Sequence, residues 1–182
     1  METIERLGPE QLKAVVVSYR DVLRAHQDVI NRLNVYPVPD GDTGTNMALT
    51  MESVVGELDG ATGMAAVCRA ISHGSLMGAR GNSGVILSQI LRGLAQGFQD
   101  APDGGDGKVL AASLATGSAA AYQAVMKPVE GTILTVAKAA ADAACGSAGG
   151  LVEVLDSARD AAAEALEHTP EQLPALKQAG AV

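Results

Sequence analysis

The chain has 182 residues, 47% of them hydrophobic but only 2% aromatic, and carries a formal net charge of −8. That length supports one core, so residues 1–182 are expected to form a single domain. An acidic surface repels nucleic acid and anionic lipid, which argues against both as partners; ATP stays open, because bound metal and backbone N–H groups neutralise phosphates locally.

The N-terminus, Met1 to Arg6, has no basic stretch leading into an apolar run, so no secretory signal is expected. Pro9 opens a first helix, and Val16, Tyr19, Leu23, His26, Ile30 and Leu33 follow at three- and four-residue steps, to about Asn34. His26 falls on the apolar face and is expected to be a satisfied core histidine. Pro37 and Pro39 forbid helix and deliver Asp40-Gly41-Asp42 into a loop. The second helix runs from about Thr45 to Leu58 and the third from about Met64 to Met77. Gly78 to Gly84 reads as a second loop, with Ser83 or Asn82 as N-cap. The fourth helix puts Leu87, Ile90, Leu91, Leu94 and Phe98 on one face. Asp100 to Gly107 is polar and turn-rich, the expected flexible loop. The fifth helix spans about Lys108 to Met126. Lys127 to Gly131 is a third loop, and a sixth helix follows from Thr132, its N-cap. Leu151, Leu155, Ala158, Ala162 and Leu166 mark a seventh. Thr169-Pro170-Glu171-Gln172 is a capping box that starts a short last helix.

Eight helices and no strand pattern make an all-α fold. Much of the apolar content is alanine, the best helix former and a poor sheet residue. Short connections favour antiparallel neighbours. In an up-and-down bundle alternate loops share an end, so the loops after the first, third and fifth helices are expected at one mouth. Cys68 and Cys145 lie inside apolar helical patterns and are expected as buried free thiols in a reducing cytosol. The stretch from Val109 to Met126 is too weakly apolar for a transmembrane segment, and a cytoplasmic location is expected.

Those three loops hold the chemistry. Asp40 and Asp42 are one residue apart, and carboxylates held so close repel unless a cation or a proton intervenes. Magnesium takes one or two carboxylates plus phosphate oxygens. Pro-Asp-Gly-Asp is also ordinary turn chemistry, but here Thr43-Gly44-Thr45-Asn46 runs straight into a helix start, where N–H groups and hydroxyls favour an anion. An EF-hand is excluded: its sixth position would be Thr45 rather than Gly, and its twelfth Met51 rather than Glu. Gly78-Ala79-Arg80-Gly81-Asn82-Ser83-Gly84 lacks the Lys-Ser/Thr of a P-loop. Its backbone suits phosphate contacts, with Arg80 as a charge stabiliser. The third loop offers Gly131 and Thr132 over a nucleotide, with Lys127 as a counter-charge. His26, His73 and His168 are scattered and make no catalytic triad with the serines or cysteines.

The blocks Asn34–Met47, Ala79–Ser88 and Lys127–Val136 together resemble the N-terminal kinase domain of bacterial fatty acid kinase, which is related to the L-type nucleotide-binding domain of dihydroxyacetone kinase (DhaL-like, DAK2). The resemblance implies an eight-helix antiparallel barrel binding ATP or ADP with two magnesium ions at one mouth. It assigns Asp40 and Asp42 as metal ligands, with Asn34 nearest to a third upstream ligand that is Asp in the dihydroxyacetone kinase branch. It assigns Thr43, Gly44, Thr45 and Asn46 to one phosphate-binding turn, Gly81, Asn82, Ser83 and Gly84 to a second, and Gly131, Thr132 and Ile133 to the loop closing over the nucleotide. Related chains continue with an Asp-Ala-Gly-type segment where this one stops at Gly180-Ala181-Val182, so it is expected to be part of a longer protein.

The expected activity is transfer of the ATP γ-phosphoryl group to a fatty acid carboxylate presented by a separate fatty-acid-binding partner protein. Such an acceptor is already ionised near neutral pH and needs no general base. A dihydroxyacetone-type small-molecule kinase and a non-catalytic nucleotide sensor are the alternatives. The oligomeric state is left open.

Overall fold

A computed structural model describes residues 4–180. The leader-free reading of Met1–Thr3 and the chain end at Ala181-Val182 lie outside the described residues. The fold is all-α: α1 (Pro9–Arg32), α2 (Thr43–Glu57), α3 (Met64–Gly78), α4 (Gly81–Gln99), α5 (Gly107–Ala124), α6 (Ile133–Gly146), α7 (Leu151–Glu167), and two short helices, α8 (Thr169–Gln172) and α9 (Pro174–Gln178). The seven long helices were legible from periodicity. The single short last helix was not: it splits at Leu173, because Pro174 pushes the residue before it into extended conformation.

Each long helix packs on the next in sequence, and α2 also reaches α4 as α5 reaches α7. The arrangement is an up-and-down bundle. Met51, Val54, Val67, Cys68, Phe98 and Val154 are fully buried at its centre. With so few aromatics, close approach replaces bulk. Hydroxyls are buried among the apolar side chains, with none orphaned among the described residues: Thr50 donates to the Asn46 carbonyl at 2.7 Å, Ser88 to that of Val85 at 2.8 Å and Ser113 to that of Val109 at 2.6 Å. This back-bonding satisfies a polar group inside the helix that carries it.

Contacts identify the two ends. At one, Leu7 and Gly105 exchange backbone hydrogen bonds of 2.8 and 3.1 Å, so the segment before α1 lies against the α4–α5 connection. That connection, expected to be the flexible loop, is tied down further by Asp106, which caps α5 by accepting from the Lys108 and Val109 amides. At the other end lie the connections α1–α2, α3–α4, α5–α6 and α7–α8.

His26, Cys145 and Thr169 depart from expectation. His26 is exposed, because the inward stripe of α1 is set by Val16 and Leu23 and the helix turns His26 away. Cys145 is exposed, near the end of α6, although its thiol points to the Ala111 carbonyl at 3.6 Å. Thr169 is not a cap: its hydroxyl donates back to the Leu166 carbonyl at 2.8 Å, and His168 takes the N-cap position of α8.

Candidate functional site

The approach to the acidic pair leaves α1 at Leu33 and passes the cis Tyr36–Pro37 peptide. Asp40 and Asp42 are both exposed, and among the described residues neither carboxylate has an ion-pair partner. Asp40 accepts a 2.6 Å hydrogen bond from the side-chain amide of Asn34. Asn34 thus faces Asp40 through its donor nitrogen, and would have to turn its amide over to present an oxygen to a shared cation.

The second helix begins two residues earlier than periodicity suggested. Asp42 is the N-cap of α2, yet its side chain makes no capping bond, and Thr43 to Asn46 form the first helical turn. That turn is positioned by a residue the sequence reading missed. Asn31, in the last turn of α1, accepts from the Thr45 amide at 3.1 Å and donates to the Thr45 hydroxyl at 3.0 Å. Gly44 makes this approach possible, since a Cβ there would stand 2.3 Å from the Gln27 carbonyl oxygen. The only sequence signal was an Asn one turn before the α1–α2 connection, a position that also reads as an ordinary C-terminal residue.

The second loop is much shorter than expected. Only Ala79 and Arg80 are non-helical, and Gly81 to Gly84 are the first turn of α4. Neither Asn82 nor Ser83 is the N-cap; Arg80 is, with no side-chain capping bond. The tight turn is possible because Gly81 adopts φ +59°, and its backbone lies against the Asn46 side chain. The Arg80 amide points to the Thr50 hydroxyl at 3.3 Å. The first turns of α2 and α4 therefore abut, with Asp40 and Asp42 leading into one of them. The first amides of a helix have no intrahelical acceptor, and no side chain of the N-cap residue takes them here. Two such termini side by side make a concentration of positive dipole ends.

The third loop shares this end of the bundle, but no hydrogen bond among the described residues joins it to the other two. Thr132 caps α6, accepting from the Leu134 amide at 3.3 Å while donating to the Val129 carbonyl at 2.9 Å. Its hydroxyl is thereby engaged within its own turn. Gly131 is buried against the α8 segment, and Ile133 is half-buried at the start of α6. Lys127 and Arg80 are exposed.

The DAK2 domain profile matches residues 37–182, which takes in Asp40 and Asp42 and the second and third loops, with Asn34 just before its start. The chain belongs to the DAK2 domain family. It is also 44% identical to an uncharacterized protein of Staphylococcus aureus strain USA300, over 98% of this chain and 33% of that protein. Uncharacterized proteins of strains NCTC 8325 and N315 match to the same degree. This DAK2 domain thus spans about a third of the length of the curated relatives it matches. The family is of kinase type, which supports a kinase-like role in general. Among the described residues no helix is long and apolar enough to cross a membrane, and no group of three or more His, Cys, Asp or Glu side chains converges as a ready-made metal centre.

Proposed function

We propose that this DAK2 domain binds magnesium-ATP at the α2/α4 end and serves the transfer of its γ-phosphoryl group to a fatty acid carboxylate held by a separate lipid-binding protein. The observation that carries the reading is the pair of abutting helix starts, neither capped by its own N-cap side chain and only the Thr45 amide taken, by Asn31, beside two exposed carboxylates without an ion-pair partner among the described residues. Anionic phosphate is favoured at the helix starts, and a hard cation at the carboxylates. The donor set fits magnesium, which needs only one or two protein carboxylates when phosphate oxygens complete its shell.

Asp40 and Asp42 would hold the metal, with Asn34 orienting Asp40. Bound there, magnesium supplies charge neutralisation for the phosphate oxygens. The amides of Thr43, Gly44, Gly81, Asn82 and Ser83 orient the phosphate chain. Arg80, next to those amides, meets the charge on the transferred group. The carboxylate oxygen of the acceptor forms a bond to the γ-phosphorus as the bond to the bridging oxygen breaks, leaving ADP and an acyl phosphate. No protein base is required, because no proton leaves the acceptor. Catalysis on this account is positioning and electrostatics.

The acceptor and its carrier protein rest on the motif resemblance. Sequence motifs favour the fatty acid branch over a dihydroxyacetone-type kinase through the Tyr36-Pro37-Val38-Pro39 approach. A thermal-shift titration with ATP, with and without magnesium, tests the first half: a metal-dependent rise in Tm is expected, and its absence refutes nucleotide binding. Single-turnover transfer from labelled ATP tests the second. It would compare a protein-bound fatty acid with dihydroxyacetone, using this chain and a full-length relative. Tight binding without transfer to either acceptor would leave a nucleotide sensor.

A further inference from the structure

The third loop contains a hydrogen-bonded unit outside the proposed metal and phosphate contacts. Tyr122 closes α5, Glu130 sits in the loop, and Thr135 is in the first turn of α6. The Tyr122 hydroxyl lies 3.2 Å from each Glu130 carboxylate oxygen. The Thr135 hydroxyl donates to Glu130 Oε2 at 2.6 Å, and it accepts from the Gly131 amide at 2.9 Å. One carboxylate therefore gathers α5, α6 and, through Thr135, the loop backbone.

The backbone so held cannot be relaxed by an ordinary residue. Gly131 has φ +78°, and a Cβ there would stand 2.7 Å from both the Thr169 carbonyl oxygen and the Leu173 Cβ. The turn is thus wedged between the Glu130 unit on one side and the α8–α9 segment on the other. Core packing does not require the Glu130 side: Glu130 is exposed and Tyr122 only half-buried. The short charge-assisted bond joins Thr135 to Glu130 at an exposed position, and the Thr135 oxygen so oriented takes the Gly131 amide, an arrangement that fixes loop geometry more than it stabilises the fold.

We infer that Glu130 is a positioning residue, which through Thr135 and Tyr122 holds the Gly131–Thr132 turn in the shape that closes over the nucleotide. The inference rests on the proposed nucleotide site. Its physical basis is preorganisation: a loop ordered before binding does not have to be ordered by the ligand. Lys138 and Asp142, paired with each other on the outer side of α6, are charged groups near the unit. Neither bonds to Glu130.

The experiment measures magnesium-ATP affinity by calorimetry alongside Tm, in wild type and in Glu130→Ala, Glu130→Gln, Thr135→Val and Tyr122→Phe. Glu130→Ala should weaken binding about tenfold with little change in Tm, the size expected for losing a hydrogen bond to a charged group. Glu130→Gln, which keeps an acceptor, should recover most of the affinity. Thr135→Val combined with Glu130→Ala should be no worse than the weaker single variant, since both act through one link. Unchanged affinity in Glu130→Ala overturns the inference. So does a fall in affinity that tracks a fall in Tm and is not recovered by Glu130→Gln. Amide hydrogen exchange at Gly131, read without nucleotide, keeps the two readings apart. Faster exchange in Glu130→Ala together with no wild-type ATP binding refutes the nucleotide site and this role with it. Unchanged exchange refutes the link itself, whatever the nucleotide result.

Discussion

Asn31 holds Thr45 at both its amide and its hydroxyl, so the last turn of α1 caps the first turn of α2 from outside. The contact substitutes for the missing side-chain cap of Asp42 and leaves that carboxylate free to face solvent. An N-cap replaced by alanine typically costs ~1 kcal/mol. Asn31→Ala is expected to cost about that much in urea denaturation. It should also weaken magnesium-ATP binding, because Thr43 to Asn46 lose their anchor. Asn31→Asp, which keeps the acceptor for the Thr45 amide, should restore more stability than affinity, since it adds an anion beside a phosphate site.

The acidic pair gives the most direct test of the site. Asp40 and Asp42 are exposed and outside the core, so neither should be needed to fold. Asp40→Ala and Asp42→Ala are expected to keep native far-UV circular dichroism and Tm while losing the magnesium-dependent part of ATP binding. Asn34→Ala should have a smaller effect, as its amide contacts Asp40 through nitrogen. Calorimetry that returns wild-type affinity in both aspartate variants would remove the metal site.

The boundary between what sequence carried and what it did not follows from range. The long helices were readable because their apolar steps recur over several turns, and Pro9 and Thr132 mark ends by local chemistry. Thr43 and Gly44 at the start of α2, and Gly81 to Gly84 at the start of α4, were read as loop. Glycine and threonine weaken helix propensity, and what makes those residues helical is tertiary: Asn31 on one side, and the Asn46–Gly81 contact between the two turns. His26 was misplaced for a related reason. Val15, Val22 and Val29 are exposed on α1 beside the buried Val16 and Leu23, so apolar spacing alone does not say which stripe faces α2. The Tyr122–Glu130–Thr135 unit spans fourteen positions, and no local pattern announces it.

Close helix approach predicts opposite effects at two glycines. A Cβ at Gly93 would stand 2.3 Å from the Cα of Gly117, backbone against backbone across the α4–α5 crossing. Gly93→Ala must push two helices apart, and is expected to destabilise by about 1–3 kcal/mol. Gly56, inside α2, has nothing within 4 Å of the same construction. Gly56→Ala should stabilise by about 0.4–1 kcal/mol, through helix propensity and a less flexible unfolded chain. Denaturant midpoints for the two variants should move in opposite directions; a shift of the same sign would mean the crossing is looser than its geometry.

Asp106 predicts an acid-side loss. The Val109 amide, then that of Lys108, holds its carboxyl below the ordinary carboxylate range, with Arg6 and Lys108 adding to the effect against some desolvation. A folded-state pKa depressed below the unfolded value stabilises the fold above the unfolded pKa, and that contribution is lost as pH falls through the folded one. The loss should therefore appear below about pH 4. Asp106→Asn keeps a capping oxygen but cannot titrate, so its denaturant midpoint should fall less steeply than wild type between pH 5 and pH 2.5, roughly the window in which carboxylates protonate. Parallel curves for the two proteins would count against the cap.

The two thiols should separate cleanly by reactivity. Cys68 is fully buried in the core beside Val67 and Ile71, and burial pushes its thiol up to about 11. The reactive species is the thiolate, so Cys68 is protected twice, by access and by protonation. Cys145 lies exposed at the end of α6, outside the packed centre. Brief alkylation of the native protein at neutral pH is expected to add one label, at Cys145. In denaturant both should react. The rate at Cys68 under native conditions then reports opening of the core, and Gly93→Ala should raise it while Gly56→Ala lowers it. Labelling of Cys68 at the rate of Cys145 in the native state would contradict the packing of α3 against its neighbours.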